Sequence, residues 1–550
     1  MKFDAILIEP RREAMVRDGH WRNKTVNDYF DAALAEKPDR LALSSITVAD
    51  GSRRDFTWAE LDRMANRAAV GLTRLGVKRD DVVTCQLPNS WQFVATYLGC
   101  ARIGAVFNPV MPIFREHELL FMLRHGDSGV FIVPKVFRDF DHEAMAEGMK
   151  AQLPDLRHIV VNKPEGANSF DALLANPDFD DDPELQRIVT ANRPGPDDVN
   201  QLIYTSGTTG EPKGVMHTSN TMYSNLIPYS ERLGLTEDDV IAMASPMAHQ
   251  TGFMYGLLMP IYLKARSILF DTWDKRLKGR MVQDDRITFT MASTPFLMDL
   301  TNAVDEDKFD SRSLRIFLCA GAPIPGAVVE RARQVMPGTK IISAWGMTEN
   351  GAVTLVDPAD DDERSVNTDG FPLPGVELQI RDEQGDICPV GQAGELFVRA
   401  CSNFGGYLKR PLLNATDDEG WFDTGDVARM DERGYIRISG RSKDIIIRGA
   451  ENIPVFEVEG ILFKHPAIHQ VAIVAYPDDR LGERACAFVT LKPGAGFNFD
   501  EMQRHLREHK LAIQYWPERL EIRDSLPATA SGKIQKFALR RMLREEMGLA

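Results

Sequence analysis

The sequence predicts an α/β protein: a large N-terminal domain of mixed, mostly parallel sheets with helices, an antiparallel β subdomain at its end, and a small mobile α+β C-terminal domain. Three observations carry this expectation. Short apolar runs alternate with helical patterns as far as Glu349, alternating strands with Gly/Asp turns follow Pro374, and a compact α+β pattern follows Gly440. A chain of 550 residues also exceeds what one hydrophobic core usually supports, so two domains are expected, divided as 1–440 and 441–550.

From Phe56 onward, Leu61, Met64, Ala65, Ala68, Leu72 and Leu75 recur at helical spacing, and Gly76 marks a stop. The strand-like VVTCQL (82–87), an apolar helix around WQFVATYLGCARIG and the strand-like AVFNPV (105–110) come next. Strands alternating with helices imply parallel pairing. The alternation resumes at GVFIV (129–133), HIVV (158–161), VIAMAS (240–245), SILF (267–270), ITFTMAS (287–293), RIFLCAGA (315–322) and KIISAWGMTE (340–349). Several of these runs end in small or polar residues, where open α/β sheets usually bind ligands. VELQIRDEQGD, GELFVRA and GYIRISG then read as antiparallel strands. The last part of the chain contains IIIRG, a helix over FEVEGILFKH, QVAIVAYPD, ACAFVTLK, a helix after Asp500 and RLEIRDSLP. No repeat at a fixed period is visible.

Composition narrows the function. The 43% hydrophobic and 26% charged content is that of an ordinary globular protein, and the net charge of −15 disfavours general nucleic-acid binding while allowing a local basic site. Cys85, Cys100, Cys319, Cys388, Cys401 and Cys486 are scattered, with no CxxC pair and no His cluster at metal-ligand spacing, so reduced thiols in a cytoplasmic protein are expected. The N-terminus lacks the apolar run and small-residue cleavage site of a secretion signal, and no apolar run is long enough to span a membrane. Neither secretion nor integral membrane association is expected.

The segment YTSGTTGEPKGV (204–215) concentrates the chemistry. Thr205, Ser206, Thr208 and Thr209 supply hydroxyl donors, while Gly207, Gly210 and Gly214 let backbone N–H groups approach an anion. Lys213 adds a positive charge. QLIY suits a buried strand, and Val215, Met222 and Leu226 suggest a helix downstream, so strand, loop and helix form a phosphate-binding order. Because Gly214 follows Lys213, this is not the GxxxxGK[ST] nucleotide loop. For the six loop residues alone, a Ser/Thr/Gly-rich surface turn is the plain alternative.

Three further motifs recur with it: AWGMTEN (344–350), WFDTGDVARMDERGYIRISGRSKDIII (421–447) and LPATASGKIQK (526–536). Together the four resemble, in order, the adenylate-forming superfamily of acyl-CoA synthetases, nonribosomal peptide adenylation domains and luciferases. The resemblance implies ATP, Mg²⁺ and coenzyme A as cofactors and co-substrate, and a small-molecule carboxylic acid as partner. It places Thr205, Ser206, Gly207, Thr208, Thr209 and Lys213 on the β- and γ-phosphates, and Trp345, Gly321, Ala322 and Pro323 at adenine. Thr348 would meet the α-phosphate, Glu349 the metal, and Asp426 with Arg441 the ribose. It makes Lys533 the adenylation lysine and Lys443 the hinge about which the C-terminal domain turns. Gly449, Ala450 and Glu451 would then form the pantetheine tunnel, with Ala450 in place of the common second glycine.

The acid itself is expected around His249, Gly252, Phe253, Met254, Gly346 and Met347, with His249 near the carboxylate, and Phe253, Met254, Tyr255, Met291 and Phe296 fit an apolar wall or the core equally well. Amino-acid-activating relatives place an Asp in this region, whereas this chain has Met247, Ala248, His249 and Gln250, so the substrate should lack an α-amino group. The expected activity is ATP-dependent, AMP-forming CoA ligation of an alicyclic or short-to-medium-chain carboxylic acid, cyclohexanecarboxylate foremost. Three alternatives stay open: a medium- or long-chain fatty acid, transfer to a separate carrier protein, and a noncatalytic nucleotide sensor. The sensor should have lost Glu349 or Lys533, and both are present. Monomer and homodimer are both compatible with the sequence.

Overall fold

The structure, a computed structural model, describes residues 3–205, 212–320, 324, 326–382, 384–441, 446–448, 451–453, 455–478, 482–509, 511, 513–528 and 534–548. Of Arg441 and Glu451 it describes the backbone alone. Among these residues the largest sheet has nine strands. Its centre is parallel, in the order Lys340–Met347, Ile316–Ala320, Phe289–Ala292, Val240–Met243, Arg266–Phe270 and Leu41–Thr47. Antiparallel strands close both sides: Ser52–Thr57 at one edge, Gly351–Leu355 and Phe371–Pro372 at the other. The strands of the centre are buried and apolar, as expected when helices cover both faces.

A second sheet of six strands runs Lys213–Thr218, Val199–Thr205, Val106–Pro109, Val82–Cys85, Ser128–Pro134 and His158–Asn162. All its pairs are parallel except the first. The alternation read from the sequence therefore divides between two sheets, a choice that long-range pairing makes and local pattern does not. The expected helix after Phe56 spans Trp58–Arg74, and Thr57 with Glu60 forms its capping box. It packs with the helices Trp91–Ile103 and Ser219–Arg232 in one core that includes Trp58, Phe93, Phe107, Tyr229 and Phe253. The strands Leu41–Thr47 and Ser52–Thr57 carry no clean period-two pattern, and the sequence reading did not find them.

After Pro374 an antiparallel sheet of four strands follows, as expected: Val376–Arg381, Gly394–Ala400, Phe422–Met430 and Ile436–Arg441. The last part of the chain builds its own sheet around Ile468–Asp478 and Gly482–Leu491, with helices Val455–Phe463, Phe499–Glu508 and Lys536–Glu546. It has a separate hydrophobic cluster containing Val458, Leu462, Val489 and Trp516. No helix among the described residues is long and apolar enough to cross a membrane.

Candidate active site

The Ser/Thr/Gly loop does not lead into a helix. Tyr204 pairs with Gly214 and Thr205 with Lys213 in an antiparallel ladder, so the loop is the turn of a hairpin, and Val215 lies on its return strand. The helix begins only at Ser219. The expected phosphate site therefore has no helix N-terminus directly after the loop. Residues Ser206, Gly207, Thr208 and Thr209 lie outside the described residues. Thr205 Oγ1 is buried and has no hydrogen-bond partner among the described residues, a donor that a phosphate oxygen would satisfy.

Lys213 points across the hairpin. Its Nζ lies 2.8 Å from the Tyr407 hydroxyl and 4.1 Å from the centroid of the Tyr407 ring. The same hydroxyl donates to Glu349 Oε1 at 2.7 Å. Glu349 is buried, and its Oε2 accepts no hydrogen bond among the described residues. One carboxylate oxygen beside phosphate oxygens and water suits Mg²⁺, so the donor chemistry fits the expected metal.

Glu349 sits in a turn that several buried groups hold. His217 Nε2 donates to Thr348 O at 2.7 Å, and burial pushes this imidazole down to about 4, so it is neutral near neutral pH. Phe404 N donates to Glu349 O at 2.7 Å, and Ser402 Oγ to Asn350 O at 2.8 Å. At Gly346 an added Cβ would stand 1.9 Å from Gly351 O, so the close return of the chain requires glycine there. Gly346 is exposed and Met347 and Thr348 are half-buried, which makes this strand end an open rim.

Trp345, one residue earlier, faces inward. It is 9% exposed, packs with Val353, Leu396, Val398 and Ile436, and donates its indole N–H to Asp426 Oδ2 at 2.9 Å. Asp426 stands directly opposite Arg441 in the antiparallel ladder, which brings together the two residues expected at the ribose. These contacts make Trp345 a support for Asp426.

A family model described as AMP-binding enzyme matches residues 30–408, and one described as AMP-binding enzyme C-terminal domain matches residues 457–533. The chain belongs to the AMP-binding enzyme family. It is 37% identical over 545 residues to a medium-chain fatty-acid–CoA ligase of Escherichia coli, covering 98% of this chain and 94% of that protein. The crystal structure of the anthranilate CoA ligase AuaEII with anthranoyl-AMP superposes with a TM-score of 0.84 at 26% identity, covering 96% of this chain and 98% of the other. ATP-bound MatB from Rhodopseudomonas palustris gives 0.81 at 25% identity, covering 95% and 100%. This AMP-binding enzyme is thus an AMP-forming acid–thiol ligase of the acyl-CoA synthetase branch, with the fold the sequence led us to expect.

Other expected site residues of this AMP-binding enzyme divide into two groups. Gly321, Ala322, Pro323, Lys443, Gly449, Ala450 and Lys533 lie outside the described residues. In the expected acid pocket, His249 is half-buried and caps the short helix Gln250–Phe253, its Nδ1 accepting from Thr251 N at 3.3 Å. Gly252 approaches the preceding turn so closely that a Cβ would meet Pro246 O at 2.2 Å. Phe253 and Met254 are buried: Phe253 packs edge-on to Tyr97, with 4.8 Å between centroids, and Met254 is 1% exposed. Met254 opens a π-helical turn, Met254–Leu258. Within that turn Tyr255 stacks on Tyr229 at 4.3 Å, donates to Asn225 Oδ1 and accepts from Ala352 N. A π-turn lets this helix bond sideways to the strand that follows Glu349. Tyr407, His217 and Asn225 were not foreseen. Tyr407 lies outside all four motifs, and its only local signal is an aromatic in the turn-like NFGGYLKRP.

Proposed function

We propose that this enzyme converts a medium-chain carboxylic acid to its CoA thioester through an acyl-adenylate. The observation that carries the reading is the meeting, at one strand end, of Lys213 and Tyr407 with Glu349, and of Trp345 with Asp426. Phosphate-loop cation, metal carboxylate and ribose carboxylate are the three parts that an ATP-dependent adenylation needs. The similarity to a medium-chain fatty-acid–CoA ligase supports the choice of acid.

In the first step the acid's carboxylate oxygen attacks the α-phosphorus of ATP, and the bond to pyrophosphate breaks. Thr205 and Lys213 hold the departing β- and γ-phosphates, Thr348 faces the α-phosphate, and Asp426 with Arg441 orients the ribose. Glu349 would hold Mg²⁺, which when bound would supply neutralisation of phosphate charge. Each charge-assisted hydrogen bond contributes about 1.5–3 kcal/mol. Lys533 stabilises negative charge on the pentavalent phosphorus, and rotation about Lys443 exchanges it for Gly449, Ala450 and Glu451. The CoA sulfur then attacks the acyl carbon and AMP leaves. Residues 1–440 would act as the nucleotide- and acid-binding body, and 441–550 as the turning lid.

A panel of acids with ATP, Mg²⁺ and CoA tests the reading, with products identified by mass. AMP and a C6–C10 acyl-CoA are the expected products. Best turnover on cyclohexanecarboxylate would replace the linear acid by a ring, AMP formation indifferent to CoA would point to a carrier-protein acceptor, and no AMP with any acid would overturn the adenylation itself.

A further inference from the structure

Tyr407 joins the two charged ends of the site, and it belongs to none of the four motifs. Lys213 has no lone pair to offer and the Glu349 carboxylate has no proton to give, so the phenol must accept from the first and donate to the second. The two contacts, 2.8 and 2.7 Å, therefore have one possible direction.

The ring that sets this geometry is held from several sides. Tyr407 is 2% exposed, packs 4.7 Å from Phe404, and donates its backbone N–H to Asn414 Oδ1 at 2.8 Å. It forms an antiparallel bridge to Val215, on the hairpin strand that carries Lys213. The segment before it is clamped by the N-terminal region: Arg11 donates to Ala400 O, Asn403 O and Phe404 O, and Trp21 Nε1 to Cys401 O. Phe404 N in turn holds Glu349 O. A rigid phenol thus stands between two chains that could otherwise reach each other.

We propose that Tyr407 is a positioning residue that keeps the Lys213 ammonium off the Glu349 carboxylate, so that Glu349 Oε2 is left for a divalent cation. The inference rests on the adenylation reading above. In a buried site a direct Lys–Glu pair is strong, and it would neutralise the carboxylate the metal needs while removing the cation the phosphates need. A neutral donor on Oε1 satisfies that oxygen without cancelling its charge.

The test compares wild type, Tyr407→Phe, Lys213→Met and the double variant. Calorimetry gives the affinity for a nonhydrolysable ATP analogue with and without Mg²⁺, and for AMP alone. Tyr407→Phe keeps the ring and should bind AMP as wild type does, while its Mg²⁺-dependent gain in analogue affinity falls by about tenfold, the size of one charge-assisted hydrogen bond. In turnover the KM for Mg·ATP rises and the KM for the acid does not. Lys213→Met should weaken analogue binding with and without Mg²⁺, because it removes a phosphate contact, and the double variant should show the same Mg²⁺-dependent gain as Lys213→Met. A Tyr407→Phe protein with a wild-type Mg²⁺ response overturns the proposal. So does loss of AMP binding in parallel with the Mg²⁺ effect, which marks a merely structural role. Should Tyr407→Phe fail to fold, the double variant is compared with Lys213→Met: a Mg²⁺ gain about tenfold lower in the double variant, which has no ammonium to approach Glu349, overturns it. A wild-type protein that binds neither AMP nor the analogue removes the adenylation reading itself.

Discussion

Trp345 donates its indole N–H to Asp426 Oδ2 at 2.9 Å, across 81 residues of sequence, and both side chains are buried. The contact ties the end of the large sheet to the antiparallel subdomain. The residue expected to stack on adenine is thereby a donor to the carboxylate expected at the ribose. Replacing Trp345 by Phe keeps most of the packing and deletes the donor. The expected result is a rise of about tenfold in the KM for ATP and a stability loss of about 1.5–3 kcal/mol, the value of a hydrogen bond to a charged group. Steady-state kinetics and denaturant unfolding check the two parts.

His217 links acid sensitivity to the same site. Its imidazole falls from the usual 6.5 to about 4 because it is buried, and the nearby Arg11 guanidinium adds to the shift. Between these values the unfolded chain binds a proton that the folded chain does not, so stability rises with pH across this window and is lost as pH falls through it. The full effect is about 3 kcal/mol. Melting curves between pH 7 and 4 should show this loss, and His217→Gln, which keeps a donor for Thr348 O, should flatten it.

Lys278 lies in the helix Lys275–Asp284, 1% exposed, with its Nζ 5.0 Å from the Phe270 ring centroid. Burial pushes it down to about 7 from 10.5. The unfolded chain remains protonated between those values while the folded chain does not, so this group makes stability rise with pH from about 7 to 10.5. Lys278→Met should stabilise the protein at pH 7 by about 1–4 kcal/mol, the range seen when buried charges give way to apolar side chains. Unfolding at pH 7 and pH 10 checks it: the variant's advantage should shrink at the higher pH.

Lys533→Ala should slow pyrophosphate release by about 10²-fold, the cost of removing one preorganised donor from a developing charge. Thioester formation from separately prepared acyl-adenylate and CoA should be little changed, because the proposed lysine acts in the first step only. Rapid-quench assays of the two half-reactions separate these outcomes.

Much of the fold was legible because it is local. The helix Trp58–Arg74 announces itself through its apolar spacing and its Thr57–Glu60 cap, and the buried strands are short apolar runs. The hairpin strand Lys213–Thr218 departs from the strand, loop and helix order that the local pattern suggests, and the partner that decides lies elsewhere, on Val199–Thr205. For Phe253 and Met254 the local pattern suits pocket wall and core alike, and Tyr97 and Phe107 pack against the Phe253 ring.

Membership of an AMP-binding family and its adenylating chemistry could be read from the chain, because four motifs stand along it in the family's order. How those motifs meet could not. Lys213 reaches Tyr407 over 194 residues and Tyr407 reaches Glu349 over 58. Such contacts depend on which strands pair and which loop returns beside them, and those choices are made by burial of the whole core. Folding thus made Trp345 a donor to Asp426, set the Ser/Thr/Gly segment between two paired strands, and placed a tyrosine between a cation and a carboxylate.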